Sequence, residues 1–222
     1  MTSRVITVPL MTQNVITNNH DTACRHLNFS VMSRWEPGAR ERLERAALEL
    51  FLEKGFAETT VPEITARAGM TTRTFFRHYA DKREVLFKGD DEISSTIATL
   101  MTAAPGDLNL RELIAWGLET MATTAFDGQF EYMRNRRAVV ETDERLRERE
   151  LLKRDAMASA LARDLRDRGI DDLTATLAGK IAIAVFSTAV ERWLDLDGER
   201  PLVDIVREAL KVSARVNEVS RR

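Results

Sequence analysis

Basic and hydroxyl side chains are concentrated between residues 71 and 83, in a composition that suits contacts with phosphate groups. Four cations stand there against one acidic residue: Arg73, Arg77, Lys82 and Arg83 against Asp81. An arginine guanidinium can donate two hydrogen bonds to the edge of a guanine base, while ammonium, imidazole and hydroxyl groups donate to phosphate oxygens. The segment therefore indicates a surface that binds nucleic acid.

The net charge of −2 is unevenly distributed along the chain. Residues 33–88 carry eleven Lys/Arg and nine Asp/Glu, a net charge of +2, whereas residues 89–222 carry 20 and 25, a net charge of −5. Because nucleic acid is a polyanion, only the first of these segments is expected to approach it.

Patterns typical of enzymes and metal sites are missing from the sequence. No glutamate stands three residues before any of the three histidines, as a carboxylate-bridged metal site would need, and neither acidic pair extends to a DDxxD magnesium signature. No nucleophile elbow or phosphate-binding glycine loop occurs. His20, Cys24 and His26 are one ligand short of a structural zinc site. We expect no enzymatic activity, no metal and no cofactor.

Three helix-capping patterns follow one another within about two dozen residues. They are the capping box Thr60-Val61-Pro62-Glu63, the cap Thr71 after Ala68-Gly69, and the capping box Asp81-Lys82-Arg83-Glu84. They predict a short helix, a tight turn, a helix over residues 72–79 and a further helix running from residue 81 toward Met101. This order is the layout of a helix-turn-helix.

The rest of the chain also favours helices, because charged residues make up 31% of it, glycine and proline are sparse, and apolar residues recur at helical spacing. A first helix is expected from near Pro37 to Lys54, ended by Gly55. Later helices are expected over residues 110–126, 130–140, 143–168, 171–194 and 201–216. The predicted fold is all-α. It comprises a disordered extension over residues 1–32, a three-helix domain with the helix-turn-helix over 33–86, and a larger helical domain over 87–222.

Residues 38–86 resemble the DNA-binding domain of the TetR family of bacterial transcriptional regulators. The resemblance rests on Gly55-Phe56, Thr59-Thr60-Val61, Ile64, Ala68-Gly69-Met70-Thr71, Thr74-Phe75-Phe76-Arg77-His78-Tyr79, Asp81-Lys82 and Leu86. It implies a homodimeric regulator that binds double-stranded operator DNA through the helix-turn-helix, as a repressor released by a small effector. The downstream helices resemble the family only in number and length.

The resemblance also implies phosphate contacts by four residues: Thr60, Thr74, His78 and Lys82. Thr72 and Arg73 lie in the first turn of the recognition helix, where Arg73 is expected to read guanine and Phe76 to contact a thymine methyl group. The simpler alternatives are a packing role for His78 and a merely solvated Arg77. Phe75 and Tyr79 are expected in the core.

The helix ending near Leu194 is apolar around almost its whole girth, which one domain covers only in part. With the helix that follows, it resembles the family's dimerisation pair. The expected interface residues are Leu177, Ile181, Val185, Ile205 and Ala209, with close approach permitted by Ala178, Gly179, Ala182 and Ala189. The alternative is a core within one chain.

The family places a ligand pocket among the helices before that pair. The expected lining residues are Trp116, Met121, Phe126, Phe130, Met133 and Phe186, with ordinary core packing as the alternative for each. Because polar candidates are few, a hydrophobic effector such as an acyl-chain or drug-like molecule is expected.

Two other functions stay open from the sequence: a helix-turn-helix used for protein contacts, marked by a loss of salt-dependent DNA binding, and, less favoured, a helical enzyme. Cys24 is the only cysteine, so no intrachain disulfide can form. We expect no apolar run to approach the length needed to span a bilayer. The expected location is therefore cytoplasmic, without a membrane partner.

Overall fold

The computed structural model describes residues 38–87 and 90–216, and within these ranges the chain is helical without a β-strand. The helices are α1 (Ala39–Lys54), α2 (Val61–Arg67), α3 (Thr72–His78), α4 (Asp90–Ala103), α5 (Leu110–Thr124), α6 (Phe130–Thr142), α7 (Glu144–Asp167), α8 (Asp172–Asp195) and α9 (Leu202–Val216), with a 3-10 turn at Arg83–Leu86 before α4. The all-α prediction is confirmed. The predicted extension, residues 1–32, lies outside the described ranges. We call residues 39–87 the head and residues 90–216 the body.

Local capping explains the short helices of the head. α1 ends at Gly55, whose φ of +89° is a conformation that side chains with a Cβ rarely adopt. The Glu63 carboxylate accepts hydrogen bonds from the Thr60 amide (2.8 Å) and hydroxyl (2.7 Å) at the start of α2. Thr71 caps α3 by accepting from the Thr74 amide (3.2 Å). These caps agree with the sequence prediction.

The prediction of one helix running from residue 81 toward Met101 is wrong. Asp81 does accept from the amides of Arg83 (2.9 Å) and Glu84 (3.2 Å), but only a 3-10 turn follows. Phe87 is extended (φ −126°, ψ 140°) and buried, and α4 begins separately at Asp90. The physical reason is that the Glu84 carboxylate pairs with Arg149 of α7 instead of returning to Asp81, and that burial of Phe87 draws the chain out of the helix.

The head has a core that continues into the body, which we call the first core. Its centre is formed by Leu43, Ile64 and Phe75, each with no exposed surface. Val139 and Val140 of α6 and Leu146 of α7 belong to the same cluster. Packing therefore does not stop at residue 86, and the predicted domain boundary there stays a prediction.

The body has its own apolar cluster, which we call the second core, formed by α5, α6, α8 and α9 around Phe186 and Trp193. The long helices α7 and α8 pack closely. A Cβ added to Gly179 of α8 would lie only 2.5 Å from the carbonyl oxygen of Ala158 in α7. Only glycine permits this approach.

By length and composition α8 could cross a membrane, so the expectation that no segment reaches that size was wrong. Many of its apolar residues pack inside the protein instead. One face, which includes Ala175, Ala182, Phe186 and Trp193, is buried within the chain. The composition of α8 is thus accounted for in part by core packing.

Candidate nucleic-acid interface

Helix α3 is fixed to the head by two aromatic residues. Phe75 is fully buried, Tyr79 is 4% exposed, and their ring centroids lie 5.3 Å apart. The Tyr79 hydroxyl donates to Glu44 of α1 (2.8 Å). Burial, together with the Glu44 carboxylate, raises the pKa of Tyr79, so the hydroxyl stays protonated and the hydrogen bond persists across the physiological pH range. The prediction that both residues lie in the core is confirmed.

The opposite face of α3 is open to solvent and carries most of the residues predicted to touch DNA. Thr72, Arg73 and His78 are exposed, and Phe76 is 55% exposed. A surface depression of about 420 Å³ is lined by Thr71, Arg73, Thr74, Phe76 and Arg77. Arg77, for which a merely solvated role was the alternative, lies in this depression beside Arg73.

Arg73 has the freedom that base reading requires. Its side chain is exposed in the first turn of α3, and no residue in the described part of the chain forms a hydrogen bond or ion pair with its guanidinium. A guanidinium without internal partners keeps all its donors for a ligand. Its role toward guanine stays a prediction that this geometry permits.

His78 is exposed, so the alternative of a packing histidine is wrong. Its Nε2 atom lies 3.5 Å from Nη2 of Arg77, which places an imidazole and a guanidinium together at the end of α3. Thr74 is half-buried, with its hydroxyl 3.0 Å from that of Thr71. Phosphate contacts by these residues stay predictions.

Thr60 is exposed at the start of α2, but its hydroxyl proton is already donated to Glu63. The Glu63 carboxylate also accepts from the Lys54 ammonium (2.5 Å). Lys54 and Thr60 together lower the pKa of Glu63 to about 2, so this carboxylate stays ionised and retains the hydrogen bond. A phosphate contact by Thr60 therefore requires its hydroxyl to turn away from Glu63.

Lys82 is placed differently from the other predicted phosphate ligands. Its ammonium donates to the carbonyl oxygens of Phe56 (2.5 Å) and Thr59 (2.7 Å), with that of Ala57 at 3.4 Å. It also lies 4.2 Å from the centre of the Phe56 ring. Since an ammonium has three donors, the loop between α1 and α2 occupies them all. The phosphate role of Lys82 stays a prediction, and the geometry adds a structural one.

Replacing Lys82 by alanine is expected to destabilise the protein and to weaken binding to all DNA sequences alike. Losing these hydrogen bonds lowers the free energy of unfolding, and each kcal/mol lost lowers the melting temperature by about 2 to 4 °C. Each lost phosphate contact reduces the slope of log affinity against log salt by about one. Calorimetry and salt-titrated binding measure the two effects. Arg45→Ala, which removes an exposed charge from α1, is the control. A changed base preference in Lys82→Ala would contradict the assignment.

The chain is similar to known regulatory proteins. Residues 44–88 match the family described as bacterial regulatory proteins, tetR family. The transcriptional regulator TcmR of Streptomyces glaucescens is 31% identical over 153 residues, which are 66% of this chain and 67% of TcmR. MftR of Mycobacterium tuberculosis, named as a transcriptional regulator of mycofactocin biosynthesis, is 28% identical over 155 residues, which are 67% of this chain and 76% of MftR.

This chain belongs to the TetR family. As a member it is a DNA-binding transcriptional regulator, with α2 and α3 forming its helix-turn-helix.

Solved structures of TetR-like regulators share the fold. FadR of Bacillus subtilis in complex with stearoyl-CoA has a TM-score of 0.55 and 17% identity, and the matched region covers 78% of this chain and 96% of FadR. The complex of SmeT with triclosan has a TM-score of 0.52 and 20% identity, and covers 81% of this chain and 91% of SmeT.

Five of the six residues predicted to line a ligand pocket lie together in the second core. They are Met121, Phe126, Phe130, Met133 and Phe186. The ring of Phe126 lies 5.2 Å from that of Phe186, and the ring of Phe130 lies 5.0 Å from that of Trp193, which the pocket prediction did not include. Trp116 is half-buried and does not belong to this cluster. That the cluster holds a ligand stays a prediction.

The residues predicted for the dimer interface are divided by the structure. Leu177 (51%) and Ile181 (49%) are exposed, whereas Val185 (8%) and Ile205 (3%) lie in the second core with the half-buried Ala209. Val185 and Ile205 thus leave little surface for a partner. The small residues named for close approach, Ala178, Gly179, Ala182 and Ala189, are likewise buried within the chain. They pack α8 against its own neighbours.

Proposed function

We propose that this regulator is a homodimeric repressor that binds a pseudo-palindromic operator and releases it when a small hydrophobic molecule binds in the second core. The observation that carries the DNA-reading part is the placement of Arg73. It lies exposed in the first turn of α3 without a partner among the described residues, on a helix fixed from behind by Phe75 and Tyr79. Such a side chain can enter the major groove with little reorganisation.

Dimerisation is supported by an apolar stripe along the outer face of α8. Leu173 (69%), Leu177 and Ile181 are four residues apart and all exposed, with the exposed Ala184 continuing the stripe. Val212 of α9 is also exposed, at 49%. Residues at this spacing share one face of a helix, and a second copy of the chain would cover it about a two-fold axis. The interface proposed here uses Leu177 and Ile181, without Val185 or Ile205.

The second core supports a hydrophobic effector. Its aromatic rings meet edge to face, and Met121 and Met133 are flexible side chains that can repack around a ligand. The solved complexes of FadR with stearoyl-CoA and of SmeT with triclosan hold molecules with a long acyl chain and with apolar aromatic rings, respectively. We propose the same ligand class for this chain, acting in the cytoplasm without a cofactor.

Selection of bound duplexes from a random pool, followed by footprinting, tests the proposal. We expect a pseudo-palindrome whose half-sites are related by about one helical turn or a multiple of it. Affinity should fall steeply with salt, and one dimer should bind each site. Triclosan and stearoyl-CoA serve as effector probes, and release of the duplex by either supports the effector site. Salt-independent or absent duplex binding would favour the protein-contact alternative.

A further inference from the structure

Helix α6 takes part in the first core and in the second core. Tyr132, Val139 and Val140 pack into the first core together with the head. Phe130 and Met133 pack into the second core, where the effector is proposed to bind. One helix thus contacts both the head, which contains α3, and the cluster proposed as the ligand site.

Arg136 lies near the middle of α6 and is only 8% exposed. Its Nε atom donates to the Leu86 carbonyl oxygen (2.8 Å), in the 3-10 turn where the chain leaves the head. Its Nη2 atom donates to the Glu150 carboxylate of α7. A single guanidinium therefore joins the head to two helices of the body.

The same turn is held by further cations around Phe87, which is 3% exposed. The guanidinium carbons of Arg136 and Arg149 lie 4.8 and 5.5 Å from the centre of the Phe87 ring, and the Lys153 ammonium lies 5.6 Å from it. Arg149 also forms two hydrogen bonds with Glu84 (2.7 and 2.9 Å). Cations at these distances are attracted to an aromatic ring. We call Glu84, Leu86, Phe87, Arg136, Arg149, Glu150 and Lys153 the joint.

We propose that Arg136 is a positioning residue, which sets the orientation of the head on the body and transmits displacement of α6 from the second core to α3. This inference rests on the proposed effector site. A ligand that displaces the Phe130 ring from Trp193 shifts or turns α6, because a packed aromatic ring has little room to move by itself. The guanidinium cannot then keep both the Leu86 carbonyl and Glu150 at hydrogen-bonding distance, since its donors have a fixed geometry. The head changes orientation as a result.

A purely stabilising role for Arg136 can be distinguished from a positioning role by a double variant that keeps stability. Replacing a buried ion pair by apolar residues of similar volume is often neutral for stability, because desolvation offsets the attraction of the charges. The double variant Arg136→Met with Glu150→Leu leaves no unpaired buried charge, yet it removes the hydrogen bond to Leu86. Stability and orientation can therefore be measured separately.

The experiment measures the distance between head and body within one chain. Spin labels are attached at Arg45→Cys on α1 and Ser159→Cys on α7, both exposed, with Cys24→Ser in the background and an excess of unlabelled protein. In the double variant we expect a distance distribution broader by about twofold or more, with a melting temperature within a few degrees of the parent. If about one tenth of the molecules keep the competent orientation, affinity for the selected operator falls about tenfold.

The control removes a more exposed ion pair that also joins two helices but lies away from the joint, Arg166→Met with Asp172→Leu between α7 and α8. It should leave the distance distribution unchanged. If the first double variant does not fold, Arg136→Lys replaces it, because lysine keeps the charge but cannot make both bonds in the same geometry. A parental distribution in the folded Arg136 variant, or equal broadening in the control, overturns the inference. The distance lies within one chain, so failure of dimerisation or DNA binding would be seen separately.

Discussion

Replacing Leu177 and Ile181 by glutamate is expected to convert the proposed dimer into monomers and to weaken operator binding by about 10²- to 10⁴-fold. Both side chains are about half exposed on α8 in the single chain, so the substitution leaves the cores of the monomer intact. In a two-fold dimer each glutamate occurs twice at the interface, where burial of a carboxylate without a partner is costly. A monomer holds one half-site and loses the contribution of the second.

Light scattering gives the oligomeric state and fluorescence anisotropy gives the operator affinity. The matched control is Leu151→Glu with Leu152→Glu on α7, two apolar residues that are 64% and 58% exposed and lie outside the proposed interface. It should remain a dimer. Val185→Glu is unsuitable because Val185 is buried within the chain, and unfolding would mimic dissociation. A monomeric parent protein, or a dimeric Leu177 and Ile181 variant, would contradict the arrangement.

Replacing Arg73 by alanine is expected to lower operator affinity by about 1 to 3 kcal/mol per half-site, roughly 5- to 150-fold. If Arg73 donates to guanine O6 and N7, its loss also relaxes the preference at a single base pair in each half-site. The protein should keep its melting temperature, because the exposed guanidinium has no partner among the described residues. Binding to matched duplexes and to duplexes changed at one position measures both effects.

Arg77→Ala is the control for Arg73→Ala, since both residues lie on α3, carry the same charge and line the same depression. We expect Arg77→Ala to weaken all duplexes alike and to make the salt dependence less steep by about one. If the two variants exchange behaviour, Arg77 reads the base and the assignment within α3 is wrong. If Arg73→Ala weakens every sequence equally, Arg73 contacts phosphate only.

The sequence determined the elements whose causes are local. Glu63 stands three residues after Thr60, Thr71 precedes α3 and Gly55 ends α1, so the boundaries of the head helices could be predicted from neighbouring residues alone. The spacing of Phe75 and Tyr79 gave the buried side of α3, and hence the exposed side that carries Arg73. The family motif covers this same segment.

Tertiary structure alone decided which partners meet across long stretches of chain. Lys82 resembled a free phosphate ligand, but the fold brings it to carbonyl groups more than 20 residues earlier. Because α8 has apolar residues on nearly all of its faces, the sequence did not show that Val185 faces inward and Ile181 outward. Arg136 was one charged residue among many, and its bond to Leu86 spans 50 residues. Such contacts depend on how the helices pack against one another, and no local pattern of charge or periodicity encodes that arrangement.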